Sequence, residues 1–237
     1  MFTSQITEEQ KSKYRDEGYF ILERAILAEH LELLRDAALQ VVERSGTRSN
    51  RYVTEHNWQQ MPQLRKFLFS NLMADICRAT IGPEAILFYE QFFIKCGETG
   101  RRFSWHQDSG YVNSIHKPYV TCWCALDDVS ETNGTVYILP YSVSGIRTWV
   151  QHVRDAQTNE MTGYFGKERG VPVVVPAGSI AVFSSLVFHC SGANTTDKFR
   201  RAYIVQYAPE TVYGGNGKQS GTNEPFLKNG QNIARLS

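Results

Sequence analysis

Three side chains in this sequence have the types, and in part the spacing, to hold a metal ion: His106, Asp108 and His189. His106 and Asp108 lie two apart in Ser104-Trp105-His106-Gln107-Asp108-Ser109-Gly110. On an extended backbone residues i and i+2 share a face, so this imidazole and carboxylate could grip one cation together. A His-x-Asp pair by itself is a weak signal, because such pairs arise by chance. His189, in Val187-Phe188-His189-Cys190-Ser191-Gly192-Ala193-Asn194, adds a second imidazole. Two histidines and one carboxylate that leave coordination positions open form the ligand set of non-haem Fe(II) oxygenases. A zinc-dependent hydrolase could use the same trio with a bound water. A catalytically silent binding module on the same scaffold is the third reading, and an intact ligand set counts against it.

Such a constellation needs a rigid frame, and the hydrophobic pattern supplies one. Thr7-Glu8-Glu9-Gln10 has capping-box spacing, and Gly18 predicts the end of a first helix near Glu17. Leu27 to Val42 carries apolar residues at helical spacing. Pro62 to Thr80 reads as a third helix stopped by Gly82-Pro83. Between these, Ser45 to Met61 loses its pattern and suits a loop over a pocket mouth, with Arg51, Thr54, His56 and Trp58 as candidate contacts. After residue 84 the period changes. Ala85 to Lys95, Tyr119 to Asp127, Thr135 to Leu139, Val171 to Val175, Ser179 to Phe183 and Arg201 to Tyr207 read as strands. Many strands with no helices between them predict a mainly β protein with flanking helices, in which the strands form an antiparallel jelly roll. Ser142 to Gly170 is too long for a turn and is expected to be a lid that contains Arg147, Trp149, His152 and Arg154. Beyond Tyr213 the chain is Gly- and Asn-rich and reads as a tail.

Composition excludes several classes. Twenty-five basic against 24 acidic residues among 237 give a formal charge of +1, which supplies no broad field for nucleic acid or anionic membrane. No run of about 18 apolar residues and no secretory signal is visible, so a soluble, cytoplasmic protein is expected. Five cysteines, an odd number, agree with a reducing compartment. Cys122 and Cys124 are expected to share one strand face as small buried hydrophobes. His30 and His116 are expected at the surface, while His56 and His152 fall in the two suspected pocket loops.

The Trp105-His106-Gln107-Asp108 run, the Trp123 to Asp128 run followed by Asn133-Gly134, and His189-x-Ser191-Gly192-x-Asn194 with Arg200 eleven residues beyond the histidine carry a wider likeness. In these segments the chain resembles the phytanoyl-CoA dioxygenase family of Fe(II)- and 2-oxoglutarate-dependent oxygenases, with matching features from about Ile6 to Ala208. The resemblance implies one domain over residues 1–237, with helices in 7–81 packed on a double-stranded β-helix (cupin-like) core over 85–208 and the lid over 142–170. It also implies Fe(II) on His106, Asp108 and His189, with 2-oxoglutarate and O2 as cosubstrates and ascorbate as a stimulant. It assigns Arg200 to the distal carboxylate of 2-oxoglutarate, a pairing that a hydrolase would not need. Strand periodicity cannot choose between Arg200 and Arg201; the family spacing selects Arg200. The resemblance also puts Ser191, Trp123 and Gln91 beside the cosubstrate. Their alternatives are a strand-end hydroxyl bonded to backbone for Ser191 and a core aromatic for Trp123. Gln107 faces away from the ligand side and suits an orienting role rather than ligation. The implied reaction releases succinate and CO2 and hydroxylates an unactivated C–H bond of a small or medium organic molecule. Asp108 disfavours halogenation, because related halogenases lack this carboxylate. Pro140-Tyr141-Ser142-Val143 stands where the family commonly has Pro-Gly-Ser-His, which alters the root of the lid. Arg51, Arg147 and Arg154 hint at an anionic substrate.

Overall fold

The computed structural model describes residues 6–45, 51–55, 57–97, 102–112, 114–156 and 160–235, with the side chains of 51–53 excepted. Helix α1 (Glu8–Glu17) begins at Thr7, whose hydroxyl accepts from the Gln10 N–H at 3.2 Å while the Gln10 side chain accepts from the Thr7 N–H at 2.9 Å. It ends at Gly18 in the left-handed region, where an added Cβ would also collide with Val187 and Tyr141. Strand β1 (Tyr19–Leu22) follows, then α2 (Ala28–Ser45), which buries Leu34, Ala37, Ala38 and Val41.

Two segments differ from their sequence pattern. Arg51–Glu55 is a strand, β2, rather than part of a loop: Tyr52, Val53 and Thr54 are strand-favouring types, and the segment pairs with β3 (Ala85–Lys95). The helix expected over 62–80 is broken. After a short α3 (Asn57–Gln60) come a 3-10 turn over Pro62–Leu64, one turn of α4 (Arg65–Leu68), and α5 (Asn71–Thr80) capped by the Ser70 hydroxyl. The break turns Phe69 into the core against Phe226, with ring centroids 5.3 Å apart, and frees its carbonyl for Asn232 Nδ2 at 2.9 Å.

The remaining strands are β4 (Phe103–His106), β5 (Val120–Ala125), β6 (Val136–Leu139), β7 (Val153–Arg154), β8 (Met161–Thr162), β9 (Val171–Pro172), β10 (Ile180–Ser184), β11 (Phe188–Ser191), β12 (Arg200–Ala208), β13 (Glu224–Lys228) and β14 (Gln231–Asn232). A one-turn helix, α6 (Tyr141–Ser144), opens the long connection after β6. All described strand pairs are antiparallel. The large sheet runs β1-β10-β5-β12-β3-β13-β14 with β2 also on β3, and the small sheet runs β4-β11-β6-β9. Together they form a jelly roll, the curled two-sheet form of an antiparallel β protein.

The large sheet has two different faces. Cys122, Cys124, Tyr203 and Val205 point to the helices and join Leu34, Phe67 and Ile76 in the main core, so both cysteines are buried as expected. Trp123, Ala125, Ala181, Phe183 and Ala202 point inward and meet Val136 and Ile138 of the small sheet. The Gly- and Asn-rich C-terminal region, whose order the sequence leaves open, packs on the sheet: β13 extends it at the start of β3, and Phe226 is fully buried against Tyr207. No helix among the described residues is long and apolar enough to cross a membrane.

Candidate metal and cosubstrate site

The two histidines are brought together by strand register. β4 and β11 are neighbours in the small sheet, and His106 stands directly opposite His189. β4 ends at His106, Gln107 is extended, and Asp108 opens a 3-10 turn, which carries its carboxylate onto the same side. Asp108 Oδ1 lies 3.5 Å from His189 Nε2 and 3.9 Å from His106 Nε2. One ligand atom from each residue falls within 4.8 Å of the others, and the three form the cation-binding cluster found among the described residues.

The surroundings fix which atoms face this point. His106 Nδ1 lies 2.7 Å from the Ser104 carbonyl and His189 Nδ1 lies 3.2 Å from the Val187 carbonyl. A carbonyl can only accept, so both Nδ1 atoms carry a proton, and Nε2 is the atom of each ring that faces Asp108. Burial, with His189 adding to it, holds the His106 pKa well below the usual histidine value, so its ring is neutral near pH 7. Thr121 Oγ1 donates to Asp108 Oδ2 at 2.5 Å and itself accepts from Gln206 Nε2 at 3.2 Å. The carboxylate is thereby turned so that its other oxygen faces the two imidazole Nε2 atoms. A carboxylate oxygen and two imidazole nitrogens aimed at one point suit a divalent cation.

The cluster opens into a cavity of about 720 Å³ whose lining includes Gln91, Phe93, Trp123, Ser191 and Arg200. Arg200 lies on the inward face of β12 and is 1% exposed. Its Nη1 donates to the Phe93 carbonyl at 3.4 Å, its Nε has no partner, and its guanidinium stands 5.4 Å from the Trp123 ring and 5.7 Å from the Phe93 ring. Burial lowers its pKa to about 10, so it stays charged at neutral pH. A buried guanidinium with an unused donor is costly unless an anion joins it. The residues present therefore fit Fe(II) together with a chelating dicarboxylate. Arg201 faces the other way, where its backbone N–H and Nε both donate to Asp127 Oδ2 at 2.8 and 3.0 Å.

Ser191, Trp123 and Gln91 all reach the cavity. Thr121 and Lys95 lacked any motif of their own. Their signal was parity: Thr121 is in phase with Trp123, and Lys95 with Gln91, on strands whose inward positions form the site. Of the loop candidates, Trp58 lies over the Arg65 guanidinium at 5.1 Å, and Arg147 donates to the Arg15 and Asp16 carbonyls at 3.1 and 2.7 Å. His56 and the Arg51 side chain lie outside the described residues. His116 is half-buried, stacked on Tyr119 with centroids 5.6 Å apart.

His152 is not a lining residue but the anchor of the long connection. Its Nδ1–H donates to the Val150 carbonyl at 2.8 Å, and its Nε2 accepts the Gln107 N–H at 2.9 Å. Its ring fills a slot where a Cβ on Gly110 or Gly163 would come within 2.6 or 2.4 Å. The Gln107 amide donates to the Thr148 and Leu186 carbonyls at 2.8 and 2.7 Å and accepts from the Val150 N–H at 3.1 Å. The residue between two candidate ligands therefore ties down the suspected lid.

A jelly roll that presents two histidines in register beside one aspartate has the frame and donor set of a mononuclear non-haem iron oxygenase. The profile of the phytanoyl-CoA dioxygenase (PhyH) family matches residues 14–202, and the chain belongs to that family. It is 24% identical over 220 residues to a 2-aminoethylphosphonate dioxygenase of the uncultured bacterium HF130_AEPn_1, with 86% of this chain and 82% of that protein covered. Two solved structures share the fold. One is the non-haem alpha-ketoglutarate-dependent carbocyclase SnoK from nogalamycin biosynthesis (TM-score 0.72, 21% identity, covering 88% of this chain and 87% of that one). The other is the epimerase SnoN in complex with Fe3+, alpha-ketoglutarate and nogalamycin RO (TM-score 0.73, 18% identity, covering 93% and 95%). Family, fold and ligand set agree on an Fe(II)- and 2-oxoglutarate-dependent oxygenase.

Proposed function

We propose that this oxygenase hydroxylates an unactivated C–H bond of a small or medium organic metabolite, consuming 2-oxoglutarate and O2 and releasing succinate and CO2. The observation that carries the reading is the meeting, in one cavity, of a His-Asp-His cluster with a buried arginine whose Nε has no partner. His106, Asp108 and His189 would hold Fe(II). When bound there, the metal supplies activation of dioxygen coupled to oxidative decarboxylation of the 2-oxo acid.

The chain's own groups do the rest. Arg200 receives the distal carboxylate, and its planar fork fixes that end of the cosubstrate. Trp123 and Phe93 flank the guanidinium and keep water from it. Thr121 keeps Asp108 turned toward the metal point. The cavity lining also includes the apolar Phe88 and Val112 together with Tyr119, Glu55 and Glu160, which suits a substrate of mixed polarity. Arg147 is occupied with the end of α1, so an anionic substrate group would have to be met elsewhere. Five cysteines with no disulfide among the described residues suit a reducing, cytoplasmic setting.

The test is spectroscopic and then chemical. Anaerobic protein with Fe(II) and 2-oxoglutarate should develop a weak visible band, and on admission of air it should form succinate slowly without any primary substrate. Arg200→Met should weaken 2-oxoglutarate binding by about a hundredfold. Zinc-loaded protein that hydrolyses esters or amides, with no band in the iron form and an indifferent Arg200→Met variant, would identify a hydrolase instead.

A further inference from the structure

We infer that Lys95 is a positioning residue of the cosubstrate pocket, fixing the Ser191 hydroxyl as a donor to the distal carboxylate on Arg200; this rests on the 2-oxoglutarate reading above. Lys95 closes β3, faces inward in phase with Gln91 and Phe93, and stands directly opposite Arg200 in the β3–β12 pairing. It is 1% exposed, as is Arg200, so two buried basic side chains stand on adjacent strands, Arg200 lining the cavity and Lys95 reaching Ser191 beside it. Its Nζ donates to Ser191 Oγ at 2.8 Å and also to the Gly192 carbonyl.

Several residues of the sequence motifs converge on this one lysine. Ser191 and Gly192 accept from its ammonium, and Asn194 Nδ2 donates to its backbone carbonyl at 3.2 Å. Gly134, with φ +85, leaves room for its stem: a Cβ there would stand 3.0 Å from Lys95 Cδ and 3.0 Å from the Gly192 carbonyl oxygen. The Asn133-Gly134 turn and the Ser191-Gly192-x-Asn194 segment thus form the seat of Lys95 as well as flanking the metal ligands.

The chemistry follows from donor counting. An ammonium donates and never accepts, whereas a hydroxyl has one proton and two lone pairs. Ser191 Oγ must accept from Lys95, so its single proton is turned to another acceptor, and no other partner of that hydroxyl is found among the described residues. Ser191 and Arg200 both line the cavity. A carboxylate oxygen between them completes both groups. The arrangement therefore favours a 2-oxo diacid over a 2-oxo monoacid, because only the diacid has a carboxylate for this end.

The experiment is a double-mutant cycle read by binding, without turnover. Fe(II)-loaded wild type, Lys95→Met, Ser191→Ala and the double variant are titrated anaerobically with 2-oxoglutarate and with 2-oxobutyrate, followed by the visible band and by calorimetry. Each single change should lower 2-oxoglutarate affinity about tenfold, the scale of a hydrogen bond to a charged group. Affinity for 2-oxobutyrate should stay unchanged. The double variant should be no more than about twofold weaker than either single one, because both remove the same device. Fully additive losses, or equal losses for both acids, would reduce Lys95 to a structural prop and overturn the inference. Should Lys95→Met not fold, Lys95→Gln replaces it under the same criteria, since a side-chain amide can both donate and accept and so leaves the Ser191 proton undirected. A wild type that gives no band sinks the 2-oxoglutarate reading itself, whereas a normal wild-type band with unaffected variants sinks only the role of Lys95.

Discussion

The donor set beside the cavity and the long connection after β6 are built differently. The groups that would hold or position metal and cosubstrate come from strands or from two residues beyond one: His106 from β4, Asp108 two residues on, His189 and Ser191 from β11, Lys95 from β3 and Arg200 from β12. Their positions follow from ladder register, which backbone hydrogen bonds hold. The connection after β6 instead depends on side chains, chiefly the Gln107 amide and the His152 ring in its glycine slot. The donor set is fixed by the sheet and the connection is pinned to it, and the pin sits between two candidate ligands. The fold thereby separates a strand-built donor set from a connection held by side chains.

That separation can be broken experimentally. The largest effect belongs to the donor set: His189→Ala should abolish stoichiometric Fe(II) binding in anaerobic equilibrium dialysis, because two remaining ligands make a weak site, while the melting temperature changes little. Next comes Gln107→Leu, which strands the Thr148 and Leu186 carbonyls and the Val150 N–H. It should cost about 3 kcal/mol in denaturant unfolding and raise succinate formation uncoupled from substrate, with Fe(II) affinity intact. A loss of iron affinity as large as that of His189→Ala would show that the two regions are not separable. The smallest effect is a pH slope. Burial lowers the His152 pKa below the ordinary value of 6.5, so the folded state resists protonation that the unfolded chain accepts. Its contribution is whole above 6.5 and is lost as pH falls, by at most about 1.4 kcal/mol per pH unit. Between pH 7 and 5, His152→Gln should therefore lose stability less steeply than wild type, and parallel slopes would contradict the assigned protonation state.

The same contrast explains what could be read from the sequence. Asp108 was legible beside His106 because a two-residue spacing carries its own geometry, whereas periodicity left Arg200 and Arg201 open and only the family spacing selected Arg200. The opposition of His106 and His189 was not, since no local pattern states which strands are neighbours. Lys95 was hidden for the same reason: as the last residue of an aromatic strand it resembles a solvent-facing terminus until register sets it against Arg200. The break at Phe69 was masked by apolar residues that keep helical spacing across it. β13 was masked by surrounding Gly and Asn, with only Phe226 and Leu227 of the strand buried. Gln107 could be excluded as a ligand by parity, but its grip on Thr148, Val150 and Leu186 depends on how a distant loop folds back.

The central claim is that strands far apart in sequence deliver one iron site and one carboxylate seat to the same cavity. A crystal structure of protein grown anaerobically with Fe(II) and 2-oxoglutarate, with iron located by anomalous scattering, tests it most directly. The account predicts one iron peak bonded to His106 Nε2, Asp108 and His189 Nε2, with the distal carboxylate of the chelated cosubstrate against Arg200 and Ser191. Iron bound elsewhere, or a cosubstrate carboxylate that leaves the Arg200 Nε without a partner, would contradict it.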